Sequence, residues 1–227
     1  AAFRYDSLTD TQKAALDTDY ATDPSLAQNI VNYIRGAEIT GFRSRTRKLG
    51  DIVHSAPLFL GNTIYVGGND GMLHAFDADT GRERFGYVPN LVFENLKHLT
   101  DTSYSHLFFV DLTTSAQINV PMGVDSTGTM LVGGLAKGGK GYFALDITNA
   151  DSLDSSSSES DAAAMVKWEY PKAGVTDNDM GYSFRRAFIV RTYSVDHPWV
   201  VIFGNGYNSA NGKAVLYILD VDGTLVR

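Results

Sequence analysis

Three histidines, His54, His74 and His106, are the residues of this 227-residue chain whose type best suits metal chemistry. Neutral imidazole is a frequent ligand of zinc, copper and iron, so three of them could hold one ion. His74, however, lies between Leu73 and Ala75 in a run that is typical of a strand. We therefore predict hydrogen-bonded structural roles for these histidines, with metal ligation as the alternative.

Two acidic stretches offer the oxygen atoms that calcium prefers. Residues 220–223 (DVDG) begin like an EF-hand loop, but Thr224 takes the fifth position and Arg227 precedes the twelfth, where that loop needs a Glu. Residues 177–179 (DND) are three oxygen donors in a row, yet such side chains commonly bond their own backbone in turns. We predict a hairpin turn at 220–223 and no metal site. The remaining candidates for calcium are Asp177, Asn178 and Asp179.

Other catalytic chemistries find no support in the residue pattern. The chain has no cysteine, which excludes thiol catalysis, disulfides and Cys-ligated metal centres. Residues 204–206 (GNG) resemble a nucleotide loop, but no helix pattern follows them. A Gly-x-Ser-x-Gly nucleophile motif is also absent from the sequence. We predict no catalytic residues and no cofactor-binding residues, and therefore not an enzyme.

Charge and hydropathy exclude further classes. The net charge of −7 and the isoelectric point near 5.1 argue against a nucleic-acid partner. Residues 43–48 (RSRTRK) form one basic run, which we interpret as a solvated loop face. No apolar run approaches the roughly 20 residues that a membrane span needs. The first ten residues lack a signal-peptide pattern, so we expect any export signal to lie outside this sequence.

These residues must be positioned by two different kinds of element. Residues 1–48 have helical signals and form a predicted helical lead-in segment. Thr9 and Gln12 can form a capping box for a first helix. A second helix is predicted to begin at Asp23-Pro24, to end at Gly36 and to bury one face. That predicted face consists of Leu26, Ile30, Tyr33 and Ile34.

Residues 49–227 change to short extended runs separated by Gly, Asn and Asp, the pattern of an all-β domain. Residues 64–85 contain two strands joined by an Asp-Gly turn, and the same unit recurs near residues 130 and 200. The copies lie about 70 residues apart, whereas a bare four-stranded blade needs roughly 45. We predict a partial quinoprotein-like β-propeller of about three to four blades.

Two insertions lengthen the repeat. Residues 90–102 are expected to hold a helix, with either Leu91, Asn95 and His98 or Phe93, Leu96 and Lys97 on its buried face. Residues 149–164 are acidic and serine-rich, which predicts a mobile loop. A propeller of three or four blades leaves exposed sheet edges. We therefore expect a fragment of a larger propeller, which a further C-terminal part or another chain completes.

Several short strings, taken in their order and spacing, make this sequence similar to one protein family. They are LGDIVHSAP at 49–57, YVGGNDGMLHAF at 65–76 with Thr80-Gly81, Tyr104-Ser105-His106 with Val110-Asp111, YFALDIT at 142–148, Trp168-Glu169, DMGYS at 179–183 and FGNGYNS at 203–209. The helical segment around residues 33–36 matches as well. The chain resembles the PilC/PilY-type family, whose members are associated with the tip of type IV pili.

The resemblance implies a non-enzymatic C-terminal propeller domain of a large secreted protein. Such a protein would lie at the pilus tip after export through the periplasm, together with minor pilins. It would support pilus assembly against retraction, adhesion to host or abiotic surfaces, and twitching motility. The family carries a calcium loop in its propeller. We expect that loop after the strand at 219–227, so its ligands cannot be assigned to residues of this sequence.

Two alternatives belong to other classes. A quinone-dependent dehydrogenase-like propeller domain would share the fold. This chain, however, lacks the vicinal cysteines of many such enzymes and has only Trp168 and Trp199 where they have tryptophan-rich repeats. The second alternative is a protein-interaction propeller of unrelated secretion machinery.

Overall fold

Two α-helices precede the first strand of the computed structural model, which describes residues 1–154 and 156–226. Helix α1 spans Asp10–Leu16 and begins with the predicted capping box. The backbone N–H of Gln12 donates to Thr9 Oγ1 at 3.3 Å, and the Thr9 N–H donates to Gln12 Oε1 at 2.9 Å. Both groups would otherwise lack partners at the helix start.

Helix α2 spans Ser25–Ile34. Gly36 ends it with a φ of +102°, a conformation that favours glycine. The prediction that Leu26 is buried is wrong, because this side chain is 45% exposed. The buried stripe begins one residue later and continues at helical spacing, so Leu26 falls outside it. The stripe consists of Ala27, Ile30, Val31 and Ile34, with Tyr33 beside it. No helix among the described residues is long and apolar enough to cross a lipid bilayer.

Three antiparallel sheets follow, and each is a meander in which strands pair in chain order. The first sheet contains β1 (Leu58–Leu60), β2 (Thr63–Gly67), β3 (Leu73–Asp77) and β4 (Glu83–Tyr87). The second contains β5 (Ser115–Gly123), β6 (Ser126–Gly134), β7 (Tyr142–Asp146) and β8 (Val166–Tyr170). The third contains β9 (Phe188–Arg191), β10 (Trp199–Gly204) and β11 (Leu216–Asp220). Meanders of this kind are propeller blades, and the all-β prediction is confirmed.

The second sheet is covered on both faces. Leu131 and Phe143 belong to a core that includes the helices and the first sheet. Met130 and Val132 alternate with them and belong to a second core with the third sheet. Because strand side chains alternate between faces, one meander joins its two neighbours.

The outer sheets each leave apolar side chains uncovered. Phe59 on the first sheet is 64% exposed, and Leu216 on the third is 60% exposed. On the third sheet, Phe188 is opposite Ile202 in the ladder and shares this open face. The uncovered apolar surfaces are sheet faces, because blades stack face to face and an outer blade has a neighbour on one side only. The sequence pattern, by contrast, predicts exposed sheet edges.

The insertion at 90–102 is helical, as predicted. It consists of α3 (Phe93–Leu96) between two 3₁₀ turns, Asn90–Val92 and Lys97–Thr100. Neither predicted face describes it completely, since its buried side chains come from the turns as well as the helix. They are Val92, Phe93, Leu96 and Leu99.

The insertion at 149–164 is anchored to the rest of the molecule. Asp151 accepts a hydrogen bond from the Thr63 hydroxyl at 2.6 Å. Helix α4 (Glu159–Ala164) begins with Glu159, which pairs with Arg35 at 2.7 Å. The prediction of a mobile loop is therefore wrong for its described part. Ser155 in this loop and Arg227 at the last predicted strand lie outside the described residues.

The basic run at 43–48 is solvated in part, as predicted, since Arg47 and Lys48 are exposed, whereas Arg43 and Arg45 pack against aromatic rings. The Arg45 guanidinium lies 3.6 Å from the Tyr33 ring centroid, and its side chain is only 8% exposed. The Arg43 guanidinium lies 3.9 Å from the Tyr104 ring centroid. Cation–π contacts and hydrogen bonds to backbone carbonyls thus fix Arg43 and Arg45 against Tyr33 and Tyr104.

Candidate interaction surface at the loop end of the sheets

The connections between the second and third strands of every sheet meet at one end of the three sheets. The Val110 N–H donates to the Gly68 carbonyl at 3.3 Å, which joins the first connection to the segment before β5. The Leu135 N–H donates to Ser183 Oγ at 3.0 Å, which joins the second connection to the segment before β9. We call this surface the loop end; it comprises residues 49–57, 68–72, 103–114, 135–141, 177–187 and 205–215.

His54 is held by a buried carboxylate of the loop end. Asp111, which is 1% exposed, accepts the His54 backbone N–H at 3.0 Å and lies 2.5 Å from the ring Nδ1. The Thr113 hydroxyl donates to the His54 carbonyl at 3.1 Å. These contacts join the segment before β1 to the segment before β5. The His54 ring itself stays 60% exposed.

His106 has a separate and more exposed partner. Its Nε2 lies 2.8 Å from Asp51 Oδ2. The rings of His106 and His54 approach the same side chain, Phe108, with ring centroids 4.7 Å and 5.8 Å away. The two histidines therefore flank one aromatic ring at the surface.

His74 lies between two carboxylates and is buried. Its Nδ1 is 2.6 Å from Glu83 Oε1, and its Nε2 is 3.1 Å from both oxygens of Asp70. Burial by itself lowers the pKa of His74, but hydrogen bonds and charges from Asp70 and Glu83 outweigh it and raise the pKa to about 9. His74 is therefore an imidazolium at neutral pH, and it links the 68–72 turn to β4.

The three histidines thus bond to different carboxylates, although His54 and His106 share Phe108 as a neighbour. The described residues contain no group of three His, Asp or Glu side chains that could hold a metal ion. Each imidazole instead bonds a carboxylate on a different chain segment, which gives it a structural role.

Asp177 is enclosed by two tyrosines. The hydroxyls of Tyr170 and Tyr217 both donate to Asp177 Oδ2 at 2.7 Å, and the Asp179 N–H donates to Oδ1 at 2.9 Å. Burial raises the pKa of Asp177, but these hydrogen bonds outweigh it and leave the pKa below its usual value. Asp179 in turn accepts a hydrogen bond from the Asn211 amide at 2.7 Å. Both carboxylate oxygens of Asp177 and one of Asp179 therefore accept hydrogen bonds from protein donors.

The substitution Asp177→Asn is expected to lower the free energy of unfolding by about 2 kcal/mol, because two hydroxyls lose an ionised acceptor. Urea denaturation of the purified protein measures the loss. The neighbouring exposed residue provides the control, since the Asn178 side chain forms no hydrogen bond among the described residues and Asn178→Ala therefore removes none. Equal stabilities for both variants would contradict this role of Asp177, as would a calcium-dependent difference between them.

The 220–223 segment forms the predicted hairpin turn. The Gly223 N–H donates to the Asp220 carbonyl at 2.9 Å, and Gly223 has a φ of +85°. The Asp220 carboxylate lies 2.7 Å from His197 Nδ1, and Asp222 accepts the Thr224 N–H at 2.8 Å. These carboxylates stabilise the turn and connect it to the segment before β10.

Asn205 organises the third connection. Its buried amide donates to the carbonyls of Asp179 and Lys213, both at 2.7 Å, and its Oδ1 accepts the Val215 N–H at 3.1 Å. Gly206 follows with a φ of +76°. Residues 204–206 therefore begin an irregular connection that the Asn205 amide holds in place. Among the described residues no helix follows them, and a phosphate site would require one.

A cavity of 640 Å³ lies between the lead-in helices, β4 and α4, and reaches the loop end at Leu49, Asp70 and Met72. Glu169 contributes to its wall and accepts hydrogen bonds from the Tyr87 hydroxyl at 2.6 Å and the Asn90 N–H at 2.8 Å. Burial raises the pKa of Glu169. These hydrogen bonds connect the second sheet to the first. Glu169 of the Trp168-Glu169 string therefore has a structural role between the two sheets.

The carboxylate partners of the histidines were not identified from the sequence. Glu83 lies on a neighbouring strand, and Asp51 and Asp111 lie 55 and 57 residues from their histidines. Asp51 and Asp111 do occur inside the family-like strings, which is the only sequence signal that marks them. Nothing in the sequence pattern indicated that Phe184 and Tyr207 would be exposed at the loop end.

Comparison with known proteins agrees with this architecture. The family model of the PilY1 beta-propeller domain matches residues 50–227. The chain is 37% identical to the type IV pilus biogenesis factor PilY1 of Pseudomonas aeruginosa strain UCBPP-PA14, over 93% of this chain and 20% of that protein. It is 34% identical to a type IV pilus biogenesis factor PilY1 homolog of Xylella fastidiosa, over 87% of this chain and 15% of that protein.

A solved structure is similar as well. The crystal structure of the Pseudomonas aeruginosa PilY1 C-terminal domain matches with a TM-score of 0.54 and 34% identity, over 73% of this chain and 29% of that one. The chain thus spans a fifth or less of the two relatives' length described above. The residues matched by the family model, 50–227, include all three sheets. The chain therefore belongs to the PilY1 β-propeller family.

Proposed function

We propose that this chain is the propeller part of a factor that supports the assembly of type IV pili. The observation that carries the proposal is the family match over residues 50–227, which includes all three sheets and the loop end. Two relatives are named type IV pilus biogenesis factors, one from Pseudomonas aeruginosa and one, a homolog, from Xylella fastidiosa.

The proposed role is that of a non-enzymatic scaffold. In support of it, three of the groups of the loop end that could act as a base are bonded to other side chains: His54 to Asp111, and Asp177 to two tyrosine hydroxyls. A general base or nucleophile needs a free atom that faces a substrate. The names of the relatives also describe biogenesis factors, not enzymes.

We further propose that the protein acts outside the cell, at the pilus tip, after export through the periplasm. There it would contact minor pilins, oppose retraction, and contribute to adhesion on host or abiotic surfaces and to twitching motility. The open faces of the first and third sheets support completion of the propeller by further blades, either of the longer protein or of another chain. The calcium expected for the family is proposed to bind the longer protein outside residues 1–227.

Deletion of the gene that encodes the whole protein is expected to remove most surface pili, because assembly loses its supporting factor. Electron microscopy and quantification of sheared pilin measure the effect. The same deletion in a strain that cannot retract its pili is expected to restore them in part, since the factor would oppose retraction. Unchanged piliation in the deletion strain, with the protein absent from the sheared pilus fraction, would contradict the proposed function.

A further inference from the structure

An aromatic platform is exposed at the loop end. Tyr182, Phe184 and Tyr207 contact one another, with ring centroids 5.6 to 6.4 Å apart. Tyr207 is 63% exposed and Phe184 is 46% exposed. Large aromatic side chains are normally buried, and a contiguous exposed group of them marks an interaction site.

Two lysines from one connection extend this platform to a fourth ring. The Lys140 ammonium lies 5.5 Å from the Tyr182 ring centroid and donates to the Asn208 carbonyl at 2.6 Å. The Lys137 ammonium lies 4.8 Å from the Phe108 ring centroid. Both lysines belong to the 135–141 connection. Its backbone is held in place because the Leu135 N–H donates to Ser183 Oγ and Gly138 packs against the Phe109 carbonyl. The rings and cations therefore form one stripe across the second and third sheets.

The cations of this stripe are not neutralised internally. Lys137, Lys140 and the exposed Arg185 and Arg186 form no ion pair with any carboxylate among the described residues. The nearby acidic groups are engaged elsewhere: Asp51 with His106, Asp111 with His54, and Asp179 with Asn211. In a chain of net charge −7, the stripe is a local concentration of unpaired positive charge.

We propose that this stripe of Lys137, Lys140, Phe108, Tyr182, Phe184 and Tyr207 is the docking surface for a protein partner that presents carboxylates beside apolar side chains. Tyrosine and phenylalanine are over-represented in protein–protein interfaces, and here partly exposed rings of both kinds lie beside lysine ammonium groups. Carboxylates of the partner would pair with the lysines at the rim, and its apolar side chains would cover the rings. The partner class rests on the proposed function, since a pilus subunit would be the occupant.

The probe for this surface is pili sheared from the deletion strain, immobilised and titrated with the full-length protein. The double variant Lys137→Glu and Lys140→Glu is expected to bind about tenfold or more weakly, because attraction at the rim becomes repulsion. Wild-type binding is expected to weaken as salt is raised, and the variant is expected to lose that dependence. The conservative pair Lys137→Arg and Lys140→Arg is expected to retain binding.

A matched control carries the same change of charge elsewhere. Lys97 and Lys167 are exposed and lie outside the loop end, so Lys97→Glu with Lys167→Glu is expected to leave binding intact. A second variant, Phe184→Ala with Tyr207→Ala, removes apolar area without changing charge, and it is expected to weaken binding while the salt dependence persists. Thermal denaturation checks that every variant is folded.

The outcomes separate this proposal from the proposed function. Wild-type binding to pili together with equal binding by the Lys137 and Lys140 charge variant would overturn the docking surface alone. An equal loss of binding in the matched control would overturn it too, since the loss would then follow from the change in net charge and not from the position of the lysines. Tighter binding of wild type to polygalacturonate than to pili, lost in the variant, would replace the protein partner by an acidic polysaccharide. Wild-type protein that does not bind pili would overturn both proposals.

Discussion

Replacing Gly206 with alanine is expected to lower the free energy of unfolding by about 3 kcal/mol or more, from a strained backbone and a steric overlap together. Gly206 has a φ of +76°, and a Cβ at this position would overlap the carbonyl oxygen of Tyr182. That oxygen cannot move aside easily, because the Tyr182 N–H donates to the Tyr207 carbonyl at 2.9 Å. The expected result in urea denaturation is a much lower midpoint, with loss of near-ultraviolet circular dichroism from the aromatic platform.

Two other glycines, one in β10 and one in the connection to β11, separate the backbone strain from the steric overlap. Gly212 has a φ of +63° and open space around it, so Gly212→Ala is expected to cost only the backbone strain, about 1 to 2 kcal/mol. Gly204 lies in β10 with open space and no positive φ, and Gly204→Ala is expected to leave stability unchanged or raise it by about 0.5 kcal/mol. Similar losses in all three variants would show that the close approach of residues 182 and 206 has no energetic weight.

The stability of the wild-type protein is expected to fall between pH 6.5 and pH 9.5 by up to about 3 kcal/mol, because His74 loses its proton in that range. The pKa of His74 is raised from 6.5 to about 9 in the folded state. A group that binds its proton more tightly when folded stabilises the fold fully below the unfolded pKa. That stabilisation disappears as the pH rises through the folded pKa.

The variant His74→Gln isolates this contribution. Glutamine cannot become a cation, so the variant is expected to lack the loss of stability between pH 6.5 and 9.5 that His74 causes in the wild type. At pH 6.5 it is expected to be less stable than the wild type, because Asp70 is buried and would lose its charged partner. Urea denaturation at several pH values measures both effects. Parallel pH profiles for the two proteins would contradict a protonated His74.

Local sequence patterns predicted the elements whose signals lie within a few residues. The Thr9–Gln12 capping box and the Gly36 helix stop were found because their partners are three residues or one turn away. The first-sheet strands β2 and β3 were found because an Asp-Gly turn joins two apolar runs.

Strands β5 and β9 were missed for physical reasons that the structure makes clear. β5 contains Pro121, and Asn119 has a φ of +58°, so its pairing with β6 is interrupted by irregular register. Proline and positive φ angles are signals against a regular strand. β9 has only four residues and an exposed phenylalanine at its start, so it has no clear alternation.

The candidate site depended on contacts that no local pattern contains. Asp111 holds His54 from 57 residues away, and the lysines of one connection lie over rings of two others. The insertion at 149–164 was judged by its composition, yet Glu159 and Asp151 fix it through long-range partners. Tertiary partners of this kind emerge only when the blades stack.

The most direct test of the account is complementation of the deletion strain. The complete gene is expected to restore surface pili, and a gene from which codons 50–227 of this sequence are removed in frame is expected to leave the strain without them, although the shortened protein is exported. Quantification of sheared pilin gives the result. Full piliation with the shortened gene would contradict the claim that this propeller supports pilus assembly.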